Sequence, residues 1–336
     1  MQNLLDPAIL FFVFGVFAGA LKSNLEIPPA ISKFLSLYLL MALGLKGGFA
    51  LAHSGLNATV MVSLAAAILM AFIVPALGYQ LLKNRVSRFD AAAIAASYGS
   101  VSAVTFVTAM QYLEANSMSP GGHMAVALVV MESPAILIAV LLANTLRHQQ
   151  TGAVAVSSSG GAVVAAFGGP NAGPPLGKIL HESFTDGAQL LLLGAMVVGY
   201  LSGDAGKSMM APFSIDLFKG MLAFFLLDMG LMVAKNFGSV RGKSPLLFAY
   251  ASLGPLVHAM IALALSILLQ LPAADAALLM VLSASASYIV VPAVLRFAIP
   301  EANPSIYLGL SLGITFPLNI LFGIPLYTFA ARHFLG

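Results

Sequence analysis

At 336 residues, 60% hydrophobic and only 8% charged, with a mean hydropathy of +0.98, this chain carries far more apolar surface than a soluble domain of its size can bury. Its solvent is a bilayer, and its fold class is an all-α polytopic membrane protein. The net charge of +3 belongs to loops and gives no argument for nucleic-acid binding, while the lack of cysteine excludes disulfides, thiol nucleophiles and Cys-based metal sites.

A spanning helix needs about 20 mostly apolar residues. Ten candidates follow in chain order, at 7–25, 29–51, 58–82, 90–112, 122–146, 184–202, 213–235, 245–270, 274–297 and 304–331. The opening MQNLLDP carries Asp6 and no basic n-region, so span 1 reads as a retained helix and not as a cleaved signal peptide. Between spans 5 and 6, residues 148–182 are rich in Gly, Ser, Ala and Pro. They read as a flexible cytoplasmic linker, with a docking segment for a cytoplasmic regulator as the alternative.

Spacing relates the two sides of that linker. Gly44 and Ser97 lie 53 residues apart, and Gly230 and Ser283 repeat the interval 186 residues later. FLSLYLLMALGLKGG pairs with FKGMLAFFLLDMGLMVA, SYGSVSAVT with SASASYIVV, and ESPAIL around Pro134 with TFPLNI around Pro317. Ten spans divide into five plus five, and an odd number per copy forces the copies into opposite orientations, so the repeat is inverted. The domains are therefore 1–147 (spans 1–5), the 148–182 linker, and 183–336 (spans 6–10). Eleven of the 15 basic residues, including Lys83, Arg85, Arg88, Arg147, Lys178, Arg241 and Lys243, fall in alternate loops on one side. That side is the cytoplasm, and both termini lie outside.

Spans 4 and 9 break the membrane pattern. SYGSVSAVT and SASASY place small and hydroxylated residues mid-span, which suits either close helix packing or an interrupted helix. If both are interrupted, the N–H groups and positive dipole ends of their second halves converge near the midplane and make an anion site without a buried Arg or Lys. Ser97, Ser100, Ser102, Ser283, Ser285 and Ser287 would add hydroxyls, and Gly99 would let the backbone approach the ligand. Donors with only partial charge suit a small, singly charged, oxygen-rich anion.

Acidic groups inside spans are functional candidates. Glu132 precedes Pro134, whose missing N–H frees carbonyls, so Na⁺ could bind there with Thr105, Thr315 and Asn319 as further oxygen donors; a protonated core carboxyl is the alternative. Asp228 reads either as a coupling-ion ligand or as a partner of Lys46 joining spans 2 and 7. His258 reads as a core histidine, and His53 and His123 stand alone in loops. The chain holds no Walker A, GxSxG, HExxH or Rossmann motif, so it is read as no enzyme, with no organic cofactor and no nucleotide domain; its energy comes from an ion gradient, or transport is passive.

LEIPPAISKFLSLYLLMALGLKGG, AAIAASYGSVSAVTFVTA, MAVALVVMESPAILIA and SASASYIVVPAVLRFAIPEANPSIYLGLSLGITFPLNI together resemble the cyanobacterial sodium-dependent bicarbonate transporter family and its wider bacterial homologues. The resemblance covers nearly the whole chain outside the Gly/Ser-rich linker. It implies ten helices in inverted five-helix repeats split into core and gate domains, a homotrimer in the bacterial inner membrane, and Na⁺:bicarbonate symport. It also implies a small PII-like protein inhibiting from the cytoplasm. The family's serine-rich crossover falls on Ser97 to Thr105 and Ser283 to Ser287. Other readings are a Na⁺- or H⁺-coupled carrier of acetate or sulfate, and an anion channel.

Overall fold

The computed structural model describes residues 6–55, 57–155, 187–237 and 244–336, and every regular element among them is helical. The first half holds α1 (Pro7–Ala20), α2 (Pro29–Ser54), α3 (Ala58–Leu82), α4 (Arg88–Gly99), α5 (Ala103–Ala115) and α6 (Met124–Ala155). The second holds α7 (Gly187–Ala211), α8 (Phe218–Phe237), α9 (Pro245–Leu268), α10 (Ala273–Ala284), α11 (Val290–Ala298), α12 (Pro304–Leu310), α13 (Phe316–Leu318) and α14 (Ile324–Leu335). π-helical segments at Pro212–Asp216, Ser311–Thr315 and Asn319–Gly323 join α7 to α8 and link α12 through α14 into one rod.

Among the described residues, seven stretches are long and apolar enough to cross a membrane, and α1 and α10 are shorter apolar helices. One of the seven, Leu190–Asn236, is 47 residues long and contains both α7 and α8. Another, Arg88–Ala115, contains α4 and α5 and is 94% buried in the protein, against 33% for Pro245–Leu268. The fourth span is thus a central element, and α9 is a peripheral one among the described residues. The linker segment 148–182 lies outside the described residues from 156 onward, as do Lys178, Arg241 and Lys243; before that point α6 continues through Ala155.

The helix starts are written in the sequence. Asp6, Asn57, Ser87 and Asn303 each accept a backbone N–H of the helix that follows, from Ala8 (2.8 Å), Val60 (3.0 Å), Asp90 (3.0 Å) and Ser305 (3.0 Å). Proline occupies the first turn of α1, α2, α9 and α12, where its missing N–H costs nothing. Inside α7, Gly203 takes φ 54°, ψ −142° and kinks the helix, a conformation that a side chain would strain. Pro134 does not end α6, which stays helical through it, although the Val130 carbonyl loses its N–H partner there.

Two helix pairs approach so closely that only glycine fits between them. In the α1–α8 pair, a Cβ on Gly15 would sit 2.3 Å from the Leu227 carbonyl oxygen, and one on Gly230 would sit 2.2 Å from that of Phe12. In the α2–α7 pair, a Cβ on Gly44 would lie 2.4 Å from the Leu192 oxygen, on Gly48 2.1 Å from the Met196 oxygen, and on Gly199 2.6 Å from the Leu45 oxygen. Lipid offers no hydrophobic drive between helices, so such backbone-to-backbone seams supply the dispersion contacts that hold them.

Candidate functional site

Both serine-rich segments are interrupted where the sequence places them. α4 stops at Gly99 with Ser100 extended (φ −93°, ψ −179°), and α5 restarts after Ser102. α10 stops at Ala284 with Ser285 extended (φ −81°, ψ 168°), and α11 restarts at Val290. In a bilayer the backbone groups freed by a break need partners inside the protein. Here the two breaks supply one another: Ser102 N–H donates to Ser285 Oγ (3.0 Å), and Ser287 N–H donates to the Ser97 carbonyl (2.7 Å). The break in the second half is tied off further by Asn319, whose Nδ2 donates to the Ala284 carbonyl (2.8 Å).

The hydroxyls divide into two sets. Ser102 Oγ caps α5, accepting from Thr105 N–H (3.2 Å) and from Thr105 Oγ1 (2.9 Å), while Ser287 Oγ accepts from Val291 N–H of α11 (3.3 Å). Ser285 Oγ donates to the Leu282 carbonyl (2.8 Å). Ser97, Ser100 and Ser283 are buried, and among the described residues their Oγ atoms have no hydrogen-bond partner. Gly99 has a different part from the one expected of it. A Cβ there would strike the ring of Pro75 at 2.6 Å, so the missing side chain serves the packing of α4 on α3 and not approach to a ligand.

Beside the crossover lies a cavity of about 70 Å³, room for a few waters or one small polyatomic ion. Its crossover wall is Val101, Ser102, Ala103, Val104, Ser287, Tyr288 and Ile289; α6 contributes Leu128, Val129 and Glu132; Ser36 and Leu40 of α2 and Leu192 of α7 close the opposite side. Glu132 is 7% exposed, a buried acid brought to the same space as two crossover serines. The N–H groups of Ala103 and Val104 belong to the first turn of α5, where no intrahelical acceptor exists, so the positive end of that helix borders the cavity.

The other proposed sodium ligands separate. Thr105 stands on the first turn of α5, outside the cavity lining, and donates its hydroxyl proton to Ser102. Thr315 Oγ1 donates to the Ala251 carbonyl (2.7 Å) and lies 2.6 Å from the Tyr98 hydroxyl, and Asn319 Oδ1 accepts from Tyr327 (3.1 Å). Both are bound up in joining the last rod to α4, α9 and α10, and neither lines the cavity. Asp228 is buried on α8, also away from the cavity lining. Its expected pairing with Lys46 is not formed: Lys46 Nζ lies 3.1 Å from Glu114 of α5 and 4.4 Å from the centroid of the Phe218 ring, so its charge is already satisfied.

The histidines are not all isolated. His53 Nε2 lies 2.7 Å from Asp204 Oδ1, and His123 Nε2 lies 3.5 Å from Asp275 Oδ2. His258 is buried in α9, its ring 6.4 Å from that of Tyr250.

Three contributors were missed in the sequence. Ser36 is one of two serines in the apolar span 29–51, with no pattern to mark it. Tyr288 closes the SASASY motif and was passed over in favour of its serines. The Ala103 and Val104 amides are backbone groups, legible only once the break is placed between Gly99 and Ala103.

Two interrupted helices bonded to one another beside a small buried cavity are the arrangement in which secondary transporters place their substrates. The family model of the Na⁺-dependent bicarbonate transporter superfamily matches residues 7–332, and the chain belongs to that family. The match spans both halves and the segment between them, in agreement with the resemblance carried by the four sequence blocks. A search of curated proteins returns no match.

Proposed function

We propose that the protein imports bicarbonate together with Na⁺ by alternating access, with the anion in the cavity beside the crossover and the cation against its Glu132 wall. The observation that carries this reading is the convergence there of Glu132, the hydroxyls of Ser102 and Ser287, and the open N–H groups at the start of α5. The amides and hydroxyls supply partial positive charge for one small anion. Glu132 supplies carboxylate oxygen for one hard cation. Two ions of opposite charge in one buried space attract through a low dielectric, so each favours the other's binding.

The inverted repeat is part of the proposal and is supported by what its landmarks do. Gly44 and Gly230 are both seam glycines, and Ser97 and Ser283 are both buried in the last turn before a break with unpartnered hydroxyls. In this reading α1, α2, α7 and α8 form the gate and the broken helices move against it. The ten-span count, the homotrimer, the inner-membrane location with both termini outside, and inhibition by a PII-like protein rest on loop charge and on the family resemblance.

Uptake of ¹⁴C-bicarbonate into proteoliposomes at alkaline pH, with and without an inward Na⁺ gradient, tests the reading. Accumulation that requires the gradient is expected. Uptake that never exceeds equilibrium would indicate a channel, and accumulation only of acetate or sulfate would replace the substrate.

A further inference from the structure

A second and larger cavity, about 360 Å³, lies on the same seam between α2, α5 and α6, at the Ser54 end of α2. From Leu40, which lines the crossover cavity, to Lys46, which lines this one, is about 9 Å at a helix's ~1.5 Å rise per residue. Its ionisable lining includes Lys46, His53, Glu114 and Lys207. Lys207 has no carboxylate partner among the described residues, and His53 is held by Asp204. Lys46 is the most sheltered cation, its side chain 18% exposed over the Phe218 ring, and it meets both oxygens of Glu114, at 3.2 and 3.1 Å.

A carboxylate is a planar O–C–O anion, the same group that bicarbonate, formate or acetate presents. Glu114 therefore occupies, from within the chain, the position that an anion of this class would take on Lys46. We propose that this vestibule is a second anion site, in which an incoming small planar anion displaces Glu114 from Lys46 before passing toward the crossover. Lys46 is carried by α2, which is locked to α7, and Glu114 by α5, which begins at the crossover. The exchange therefore releases a tie between the proposed gate and the broken helix while placing the anion at the head of the path. Lys207 adds positive charge that raises the local anion concentration. This inference rests on the transport reading for its direction of travel, but its site chemistry can be tested apart from transport.

The chain has no cysteine, so Ser119→Cys, at an exposed residue lining the vestibule, gives a single reactive thiol in the full-length protein. Its maleimide-labelling rate is measured in nanodiscs with bicarbonate, formate or acetate against gluconate at constant ionic strength. At least one planar anion is expected to slow labelling. Lys46→Gln should raise the concentration needed roughly fivefold, the scale of one partly exposed charge contact, and Glu114→Gln should lower it. A pair with only a structural role would shift both variants in the same direction or neither. That result, or no protection by any of the anions, overturns the site. Protection by formate with none by bicarbonate would retain the site and displace bicarbonate as the substrate.

Discussion

The glycine seams and the serine crossover are both built from small residues in mid-membrane, yet they solve opposite problems. At the seams, Gly15, Gly44, Gly48, Gly199 and Gly230 let two backbones meet with nothing between them, and both helices keep their own hydrogen-bond ladders. At the crossover the ladders are cut, and serines, an asparagine and the facing strand of backbone replace the lost partners. Close packing needs the absence of a side chain; a break in lipid needs a hydroxyl. A seam can only move as a unit, whereas the crossover leaves Ser97, Ser100 and Ser283 with unspent hydrogen-bonding capacity.

Substitution should separate the two regions, and the seam is the more fragile. Gly48→Val or Gly230→Val should yield no monodisperse protein in gel filtration, because the side chain must displace a helix backbone. Gly48→Ala gains up to about 1 kcal/mol of helix propensity, but its Cβ would meet the Met196 oxygen at 2.1 Å. A net loss of about 1–3 kcal/mol is expected, read as a lowered melting temperature. A Gly48→Ala protein at least as stable as the parent would show that the seam has slack.

Next in size is Asn319→Ala, which leaves the buried Ala284 carbonyl without its donor and should cost about 1–3 kcal/mol together with reduced uptake. The informative contrast is Ser97→Ala and Ser283→Ala. Removing a buried hydroxyl that has no partner should leave stability unchanged or raise it by up to about 1 kcal/mol, while uptake falls. A fall in melting temperature for both would mean that these hydroxyls serve packing, and the comparison with the glycines would fail.

The smallest effect concerns the rim. Arg147 holds Glu301 at 2.8 Å and also donates to the Ala298 carbonyl (2.9 Å), and the guanidinium keeps the Glu301 carboxyl below its usual range. A depressed carboxylate contributes stability that is present above the usual carboxylate range and lost as pH falls below it through the depressed value of the folded state. Arg147→Gln should therefore flatten the acid side of a stability-versus-pH curve by no more than about 1 kcal/mol, since the pair is partly exposed. An unchanged curve would remove this contact from the account.

Much of this was legible in the sequence. Composition gave the bilayer, apolar length gave the helices, and the matched serine motifs located both breaks to within a residue or two. The motifs did not separate packing from binding: Gly99 looked like part of a ligand loop until Pro75 was found against it. Thr315 and Asn319 looked like ion ligands because residue type records that an oxygen is present, not that a neighbouring helix has already engaged the side chain. Lys46 was assigned the wrong acid for a related reason. Asp228 was its nearest partner in the repeat alignment, whereas Glu114, placed by the broken span, is its partner in space.

The claim on which the rest depends is that Glu132 and the crossover serines form one shared site. The most direct measurement is a Na⁺ titration of bicarbonate uptake by the parent protein and by Glu132→Gln, each shown to be folded by gel filtration. The account predicts that bicarbonate affinity in the parent rises with Na⁺ and falls in K⁺ or choline, and that Glu132→Gln loses this dependence. The same Na⁺ dependence in Glu132→Gln would place the cation elsewhere and contradict the shared site.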